Sequence, residues 1–467
     1  AATPPPPVPL PPAPPFPPRA EPVRAGTMCP SRSSSQPLNC VDCAVVTRTC
    51  RRPATVAGVL SAPIVPESPC FGSDRAWTRR GSIREKMRSQ VFQRLSSGDV
   101  LDRLDVGQTG GVYTVSTESS EGSTADSPPM AVFKSEGEEA FARRGIRHGT
   151  GAVREEAAYL LDRSTGSAAG VPVTLRTAVP ETVLGRRPED ASDAFLGKSP
   201  GPEPDGGLVP GAVQSFVPDV VGAAEDFGMP RDLDAAERVV STVAAQQIAC
   251  LDLRLCNTDR HAGNLLFQDG HGPDAHPDAR RPGPAAASGR YHPVPIDHGC
   301  TLPRWWAIGE ANFEAWADWP QVRAPCLPEV LDVVEAAFNQ RDQAVEMLAE
   351  LGLEPSAQAT YYITVTLLYE GTVRHGLSLG CVAGLLSRDC INLGEPSWLE
   401  ARMVELASEA GVALEWEEDS HGDRIIAPPS EEEEWVPEEL LRRLLALFAS
   451  DELKAAGLAW EEENARG

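Results

Sequence analysis

The sequence predicts an α+β fold in which a small, strand-rich part comes before a larger and mostly helical part. Two short apolar runs, residues 112–115 and 130–133, have the composition of neighbouring strands, and a polar link rich in glycine and serine joins them. Residues 152–163 follow with a helical pattern. Beyond residue 325 the apolar spacing is helical almost throughout, which predicts the larger part.

Size and charge narrow the possible functions. The 467 residues are enough for one large domain or two ordinary ones, and the net charge of −25 argues against general binding of nucleic acid. The first 100 residues hold 13 basic and 6 acidic residues, so they carry +7 and leave −32 for the rest. Because neither an apolar run of 18 residues nor a signal peptide is visible, we expect a cytoplasmic protein that could lie peripherally on membranes.

Residues 1–74 are rich in proline, serine and arginine and predict a disordered tail. Eleven prolines within residues 1–18 favour polyproline II, which SH3-like and WW-like domains bind, although a plain tail has the same composition. Cys40 and Cys43, with Cys50 nearby, have a spacing that zinc sites use. Because neither a second pair nor a nearby histidine completes a set of four ligands, reduced thiols in a loose tail are the interpretation that we favour.

Residues 75–100 are predicted to form a basic amphipathic helix. Ile83, Met87, Val91 and Leu95 recur every four residues and share one helix face, with basic side chains around it. Such a helix can lie on an anionic membrane surface. The alternative is a helix that packs on the domain behind it.

The ordered part of the chain is predicted to comprise a domain over residues 101–395 and an acidic helical extension over residues 396–467. Residues 179–210 and 268–290 are rich in proline and glycine and predict two surface insertions. The helices predicted in this part include a long helix over residues 231–251, two buried helices within residues 355–390 and a helix that starts at Pro437.

A glycine-rich turn just before a strand is the first candidate for a chemical role. It contains Gly107, Gly110 and Gly111 and leads into Tyr113. Glycines at such a place let backbone N–H groups approach phosphate oxygens closely. A glycine turn in an ordinary hairpin has the same pattern, so the motif alone indicates either.

Lys134 ends the apolar run that starts at Ala131, as the phosphate-binding lysine of kinases does. A lysine with that role needs an acidic partner on a nearby helix. Glu155 and Glu156 lie about twenty residues later in a helical pattern, and either could be that partner. A lysine on an edge strand is the alternative interpretation.

The most specific motif contains Asp259 and Asn264. Kinases place the carboxylate that orients the acceptor hydroxyl five residues before an asparagine that holds Mg²⁺, and this pair has that spacing. An apolar run follows Asn264 at once and predicts a strand. A turn capped by Asp259 is the alternative that the spacing alone allows.

Asp297 closes a further apolar run, and Gly299 follows two positions later. This arrangement matches the metal-binding Asp-Phe-Gly segment of kinases, with His298 in the middle position. Asp297 is therefore predicted to bind Mg²⁺, or Mn²⁺, that bridges the phosphates of ATP. A β-turn aspartate is the alternative, but all the candidate residues follow one another in kinase order.

Four segments resemble the phosphatidylinositol 3-/4-kinase superfamily and not ordinary protein kinases. They look like the type II phosphatidylinositol 4-kinases, and the plant gamma-like branch is closest. The resemblance runs from about residue 101 to about residue 395. The segments that carry it are Gly151–Asp162, Asn257–Leu266, Ile296–Gly299 and Trp319–Gln321.

The resemblance implies a two-lobed protein-kinase-like fold, with a small β-rich N-terminal lobe, a larger helical C-terminal lobe and ATP between them. It implies that Lys134 grips phosphate, that Glu155 pairs with it and that Asp259 acts at the acceptor. It implies a metal bound by Asn264 and Asp297. It also implies a hinge around adenine, formed by Gln214, Ser215, Phe216 and Val217.

The expected function is therefore an ATP-dependent phosphotransferase that phosphorylates the 4-hydroxyl of phosphatidylinositol. Two alternatives stay open at this point. One is a protein Ser/Thr kinase on the same fold, which the acidic body favours. The other is a nucleotide-binding scaffold without turnover.

Overall fold

The structure is a computed structural model, and it describes most of the chain beyond residue 110. The predicted tail and the predicted basic helix lie outside the described residues, as do Gly107, Gly110 and the cysteines considered for zinc. What the sequence indicates for them stays a prediction. The described ranges are 101–103, 111–115, 129–139, 143–181, 184–185, 207–269, 290–388, 394–420, 422–429 and 435–465.

A six-stranded sheet forms the N-terminal lobe. Its strands are, in chain order, β1 (Leu101–Arg103), β2 (Val112–Val115), β3 (Ala131–Ser135), β4 (Thr174–Pro180), β5 (Leu184–Gly185) and β6 (Leu208–Ser215). Across the sheet they stand in the order β4-β6-β3-β2-β1-β5, and all neighbours are antiparallel except β1 and β5. Strand β3 is therefore an interior strand, bonded to β2 on one side and β6 on the other.

Alternation along β3 decides which side chains reach the cleft. Ala131, Phe133 and Ser135 are buried, whereas the residues between them are half-buried. Phe133 packs with Tyr113 in a small core on one face of the sheet, with 6.4 Å between the ring centroids. Because successive side chains of a strand point to opposite faces, Lys134 points away from this core and toward helix α1 (Gly151–Ser164).

A second, three-stranded sheet positions two of the predicted motifs. It contains β7 (Val220–Ala223), β8 (Leu265–Asp269) and β9 (Tyr291–Pro295), in that order and all antiparallel. Leu265 pairs with Pro295, so the residue before β8 lies beside the residue after β9. The N–H of Ile296 accordingly donates to the carbonyl of Asn264 at 3.1 Å.

The C-terminal lobe is helical and packs around one long helix. The helices are α2 (Leu233–Glu237), α3 (Thr242–Leu255), α4 (Pro320–Arg323), α5 (Pro328–Asn339), α6 (Arg341–Leu351), α7 (Pro355–Tyr369), α8 (Leu379–Leu386), α9 (Trp398–Ala410), α10 (Glu438–Phe448) and α11 (Asp451–Ala465). Helix α7 is buried on all sides over residues 356–368 and packs against α3, α5, α6 and α10. The predicted α+β, two-lobed kinase-like fold is confirmed for the described residues.

The single helix predicted over residues 231–251 is wrong, because the chain forms two helices, α2 and α3, with a break at residues 238–241. At the break the carbonyl of Val239 accepts a hydrogen bond from the N–H of Tyr291, 2.9 Å away at the start of β9. The Ser241 hydroxyl then caps the first turn of α3. A tertiary contact thus uses backbone groups that a continuous helix would need.

The first predicted insertion, residues 179–210, is too wide at both ends. Strand β4 continues to Pro180, and β6 begins at Leu208 opposite it. Pro210 is tolerated because it precedes Gly211, which pairs with the last residue of β3, Ser135. Pro210 therefore lies beyond the end of β3 and is not needed as a hydrogen-bond donor to that strand. The central residues of the insertion lie outside the described part of the chain.

The second predicted insertion, residues 268–290, is also too wide at its start. Strand β8 includes Gln268 and Asp269, and Asp269 pairs with Tyr291 across the hairpin. Polar residues here end a strand and do not yet form a loop. Residues 270–289 lie outside the described part.

The predicted extension, residues 396–467, shares its apolar core with the helices before it. Leu440, Leu444 and Phe448 on α10 are fully buried in the same cluster as the side chains of α7. The domain boundary at residue 395 stays a prediction. Among the described helices, none combines the length and the apolar character that crossing a bilayer requires.

Candidate active site

Lys134 lies on the interior strand β3, so the edge-strand interpretation does not apply to it. Its ammonium forms an ion pair with Oε1 of Glu155 on α1 and lies 3.2 Å from Oδ1 of Asp297. Burial alone would lower the pKa of Lys134, but the carboxylates of Asp297 and Glu155 raise it above its ordinary value. The structure therefore brings together three predicted site residues from three separate segments.

Of the two candidate glutamates, Glu155 is the one that meets Lys134. Burial opposes the charge of Glu155, but Lys134 and His298 lower its pKa below the ordinary value. Glu156 is also buried, yet its carboxylate lies on another side of α1, 4.0 Å from the guanidinium of Arg176. Because successive helix residues are rotated by about 100°, only one of the two can face the lysine.

A buried arginine holds the predicted catalytic loop together. Nε of Arg260 donates to both carboxylate oxygens of Asp252, at 2.9 and 3.1 Å, and both side chains are fully buried. Nη1 of Arg260 donates to the carbonyls of Asn264 and Ile296. The guanidinium thus fixes the two backbone segments that carry Asn264 and Asp297, and its charge is balanced by Asp252.

His298 links this loop to the Lys134–Glu155 pair. Nη2 of Arg260 lies 3.1 Å from Nε2 of His298, and because a guanidinium only donates, Nε2 accepts and the ring proton of the neutral histidine is on Nδ1. Nδ1 faces Oε2 of Glu155 at 3.8 Å, and both atoms are buried without a hydrogen-bond partner among the described residues. A histidine in this middle position therefore has a polar role that phenylalanine cannot supply.

Asp259 and Asn264 lie in one tight loop. The side-chain Nδ2 of Asn264 donates to the carbonyl of Asp259 at 3.0 Å, which directs the amide oxygen away from the loop. The carboxylate of Asp259 forms an ion pair with Arg143. Burial raises the pKa of Asp259, Arg143 opposes the rise, and the nearby charge of Asp297 adds to it.

Asp297 adopts a left-handed backbone conformation, with φ of 56°. Non-glycine residues rarely do so, and such strained positions concentrate at functional sites. The turn places its carboxylate, which is 35% exposed, opposite the ammonium of Lys134. An ordinary β-turn aspartate would have no reason to meet a lysine of the other lobe.

Lys134, Glu155 and Asp297 border a cleft between the two lobes, whereas Asp259 and Asn264 are not among its lining residues. Gly111 is the one glycine of the predicted turn within the described residues, and it lines the cleft. A Cβ at Gly111 would lie 1.8 Å from Oε2 of Glu138, so a side chain there would force Glu138 to move. The residues that line the cleft are Gly111, Val112, Lys134, Ser135, Glu139, Gly151, Ala152, Glu155, Asp297 and Gly299.

The predicted hinge, Gln214 to Val217, consists of the last two residues of β6 and the two residues after it, and it does not line this cleft. The side-chain amide of Gln214 donates to Oγ1 of Thr174 on β4 at 3.0 Å. Val217 instead borders a second pocket, together with Tyr159 and His292. Contact between the hinge residues, including Ser215 and Phe216, and adenine therefore stays a prediction.

Arg154 anchors α1 to the C-terminal lobe. It is fully buried, and its guanidinium donates to the carbonyl of Thr301 at 2.7 Å and to that of Leu302. It also forms an ion pair with Glu354, 2.8 Å away. The helix that presents Glu155 is therefore tied to the segment that follows Asp297.

Two charged residues at the site escape the sequence motifs. Arg143 meets Asp259 across 116 positions of the chain. Both carboxylate oxygens of Glu139 accept backbone N–H groups, from Gly149 and Gly151 at 2.8 Å each, and so cap the start of α1. The dense basic run that begins at Arg143 is the one signal that could have drawn attention to the first of them.

Comparison with known proteins agrees with this geometry. Residues 143–352 match the family model of phosphatidylinositol 3- and 4-kinase. The chain is 32% identical over 315 residues to phosphatidylinositol 4-kinase gamma 4 of Oryza sativa subsp. japonica, an alignment that covers 65% of this chain and 47% of that protein. It is 30% identical over 304 residues to phosphatidylinositol 4-kinase gamma 3 of Arabidopsis thaliana, which covers 63% of this chain and 46% of that protein.

A third relative aligns over a longer stretch. Phosphatidylinositol 4-kinase gamma 1 of Arabidopsis thaliana is 28% identical over 374 residues, which covers 77% of this chain and 59% of that protein. The chain thus spans about half the length of the curated relatives that it matches. The resemblance predicted from the sequence is confirmed: residues 143–352 match the phosphatidylinositol 3- and 4-kinase family model, and the relatives are named as plant phosphatidylinositol 4-kinase gamma proteins.

Proposed function

We propose that this chain transfers the γ-phosphate of ATP to the 4-hydroxyl of phosphatidylinositol. The observation that carries the proposal is the convergence of Lys134, Glu155 and Asp297 at one cleft, with the Asp259 loop beside it. The kinase family of residues 143–352 implies ATP as the phosphate donor. The relatives are named as phosphatidylinositol 4-kinases, which supports this lipid as the acceptor.

In the proposed reaction, Asp259 receives the proton of the acceptor hydroxyl as the hydroxyl oxygen bonds to the γ-phosphorus. The bond from the γ-phosphorus to its bridging oxygen breaks, and ADP leaves with that electron pair. Burial, which raises the pKa of Asp259, makes its carboxylate a better proton acceptor. Lys134 would hold phosphate oxygens, and Glu155 would keep its ammonium directed at them.

Asn264 and Asp297 would hold Mg²⁺, or Mn²⁺, at this site. They offer an amide oxygen and a carboxylate, which are donors that Mg²⁺ prefers, and the amide oxygen of Asn264 is directed away from its own loop. No cluster of three or more His, Cys, Asp or Glu that could bind a metal alone occurs in the described ranges. That suits an ion that takes its remaining ligands from phosphates and water. When bound, the ion would neutralise charge on the phosphates.

A peripheral contact with the membrane belongs to the same proposal, since the acceptor is a lipid. The first 100 residues carry +7, which would attract anionic lipid that a body of −32 would repel. Recognition of the proline-rich tail by SH3-like or WW-like domains stays a prediction from the sequence.

The experiment that tests the proposal is an assay with γ-³²P-labelled ATP that offers phosphatidylinositol micelles and a generic protein together. We expect label in the lipid. The variants Asp259→Asn and Lys134→Met should lower kcat by about 100-fold or more, because they remove the proton acceptor and the phosphate-binding cation. Asp234→Asn and Lys454→Met, which change exposed residues that do not line the cleft, are the matched controls.

Label in protein alone would show that the acceptor is a protein and not the lipid. ATP binding without any transfer would identify a scaffold. Label that persists in Asp259→Asn would refute the role proposed for that carboxylate.

A further inference from the structure

Residues 143–148, which we call the basic segment, stand out in an acidic chain. Three arginines and a histidine fall within six residues of a protein whose net charge is −25. A basic run on a surface is usually a solvated face. Here, however, the first arginine of the segment reaches the residue proposed to accept the proton of the acceptor.

Arg143 and Asp259 differ in their exposure. The Arg143 side chain is 43% exposed, whereas that of Asp259 is 12% exposed, and Nη2 of the arginine bonds Oδ1 of the carboxylate. The guanidinium therefore approaches from the solvent side. An acceptor hydroxyl that reaches Oδ1 of Asp259 meets this guanidinium.

The backbone of the basic segment is fixed although the Arg143 side chain is half exposed. Gly145 has φ of 73°, and its carbonyl accepts the N–H of Arg304 at 2.8 Å. A Cβ at Gly145 would lie 2.4 Å from the Cβ of Ala307. The basic segment therefore packs directly against the stretch that contains Arg304 and Ala307. Arg144 lies over the ring of Trp306, 5.0 Å from its centroid. Arg143 can thus exchange partners by side-chain rotation alone.

The other cations of the site already have fixed tasks. Lys134 is held between two carboxylates. Arg154 and Arg260 are fully buried and paired with Glu354 and Asp252. Arg143 is the most exposed of the four, since 43% of its side chain is accessible against 22% for Lys134, and it can therefore meet a group that arrives from outside.

We propose that Arg143 is a specificity residue for the acceptor, which binds the phosphodiester of an inositol phospholipid headgroup while the hydroxyl lies at Asp259. This inference rests on the proposed function. Guanidinium groups bind phosphate through paired, charge-assisted hydrogen bonds. The phosphodiester lies across the inositol ring from the 4-hydroxyl, so the guanidinium swings outward, and its departure leaves the Asp259 carboxylate free to accept the proton.

The first test is kinetic and uses the full chain with Mg·ATP and phosphatidylinositol in micelles of neutral detergent. Arg143→Ala should lower kcat/KM for the lipid about tenfold or more, mainly through KM, and leave KM for ATP unchanged. Arg143→Lys should recover part of the loss. Arg147→Ala, an exposed arginine of the same segment, is the matched control and should behave like the wild type.

Two kinetic outcomes overturn the inference. A higher kcat in Arg143→Ala would make Arg143 a gate over Asp259. Equal losses of kcat/KM in Arg143→Ala and Arg147→Ala would show that Arg143 contributes only to a general electrostatic attraction by the basic segment.

The second test measures binding without turnover, by nuclear magnetic resonance of two soluble probes. Glycerophosphoinositol keeps the phosphodiester, and myo-inositol lacks it. Arg143→Ala should weaken binding of the first probe about tenfold and leave the second unchanged. Binding that depends on Arg143 in a protein that does not phosphorylate the lipid would refute the proposed function alone.

If the protein phosphorylates the lipid but Arg143→Ala alters neither KM for the lipid nor binding of the probes, this inference is refuted and the proposed function is not. Binding of a phosphopeptide that depends on Arg143, with no effect on glycerophosphoinositol, would exclude the lipid headgroup as its ligand.

Discussion

The charge of each residue at the cleft depends on the partner that the fold provides. Burial disfavours the charged forms of both Lys134 and Glu155. Each residue would therefore lose its charge more readily if the other were absent. The pKa of Glu155 is lowered, so its contribution to stability is present above its unfolded value of about 4.3 and is lost as the pH falls. The pKa of Lys134 is raised, so its contribution is present below about 10.4 and is lost as the pH rises.

We therefore predict that Glu155→Gln lowers the free energy of unfolding by about 2 kcal/mol at pH 7. The loss stays below that for a fully isolated charge, because Asp297 still faces Lys134. The difference from the wild type should shrink as the pH falls below about 4.3, where the wild type loses this contribution. Urea unfolding at pH 7 and pH 3.5 measures both values.

Glu314→Gln, at an exposed position, is the matched control and should change little at either pH. A destabilisation by Glu155→Gln that is equal at the two pH values would contradict the linkage.

Residues at the site were predictable where short motifs carry them. Asp259 and Asn264 show their spacing directly in the chain, and Asp297 shows its Asp-x-Gly turn. Partners set by folding were not predictable, because no local pattern connects Arg143 to Asp259 across 116 positions. The choice between two neighbouring glutamates likewise needed the rotation of α1 relative to β3.

Among the elements, strand β6 determines how β3 holds Lys134. The two strands pair from Ala131↔Ser215 to Ser135↔Gly211, so Lys134 is fixed by backbone bonds on this side. A Cβ at Gly211 would lie 2.2 Å from the carbonyl oxygen of Lys134 and 2.6 Å from the ring of Phe133. Backbone atoms cannot move aside as the end of a flexible side chain can.

We predict that Gly211→Ala destabilises the protein by about 1–3 kcal/mol through overpacking. It should also lower the affinity for ATP, because the strand that carries Lys134 must shift. Thermal unfolding and nucleotide titration measure the two effects. Gly207→Ala, where a Cβ meets no atom within 4 Å, is the control; a similar loss in both variants would argue against the steric cause.

Element boundaries were less predictable than element types. Strands β2 and β3 and helix α1 lie where composition and periodicity indicate them. The break between α2 and α3 follows from a hydrogen bond between Val239 and Tyr291, which are 52 positions apart. The spacing of apolar residues along the chain does not indicate this hydrogen bond. The predicted boundaries of β4 and β6 were wrong for a similar reason. The prolines there suggested a loop, but the pairing of the two strands tolerates prolines.

At the scale of the whole molecule, the helices beyond residue 395 complete the core of the C-terminal lobe. Leu440 and Leu444 of α10 are fully buried together with side chains of α7, which lies at the centre of the lobe. The sequence indicated the apolar stripe of α10 but not the surface that it covers. A stripe on a helix shows only that something must pack there.

We predict that Leu444→Ala lowers the free energy of unfolding of the entire described fold by about 2–5 kcal/mol, in a single transition. A lower melting temperature for loss of ATP binding would show that the core is shared. Leu458→Ala, at a side chain that is 47% exposed, is the control and should change little. An unchanged melting temperature of the part that contains the cleft would instead support an independent domain after residue 395.

Arg154 has a consequence for how the proposed phosphotransferase can be regulated. Its guanidinium joins the helix of Glu155 to the carbonyls of Thr301 and Leu302 and to Glu354. An outward movement of that helix would leave a buried cation and three acceptors without their partners, at a cost of about 3–5 kcal/mol. The helix is thus held beside Lys134 at rest, and regulation of the proposed reaction is not expected to act by moving this helix outward.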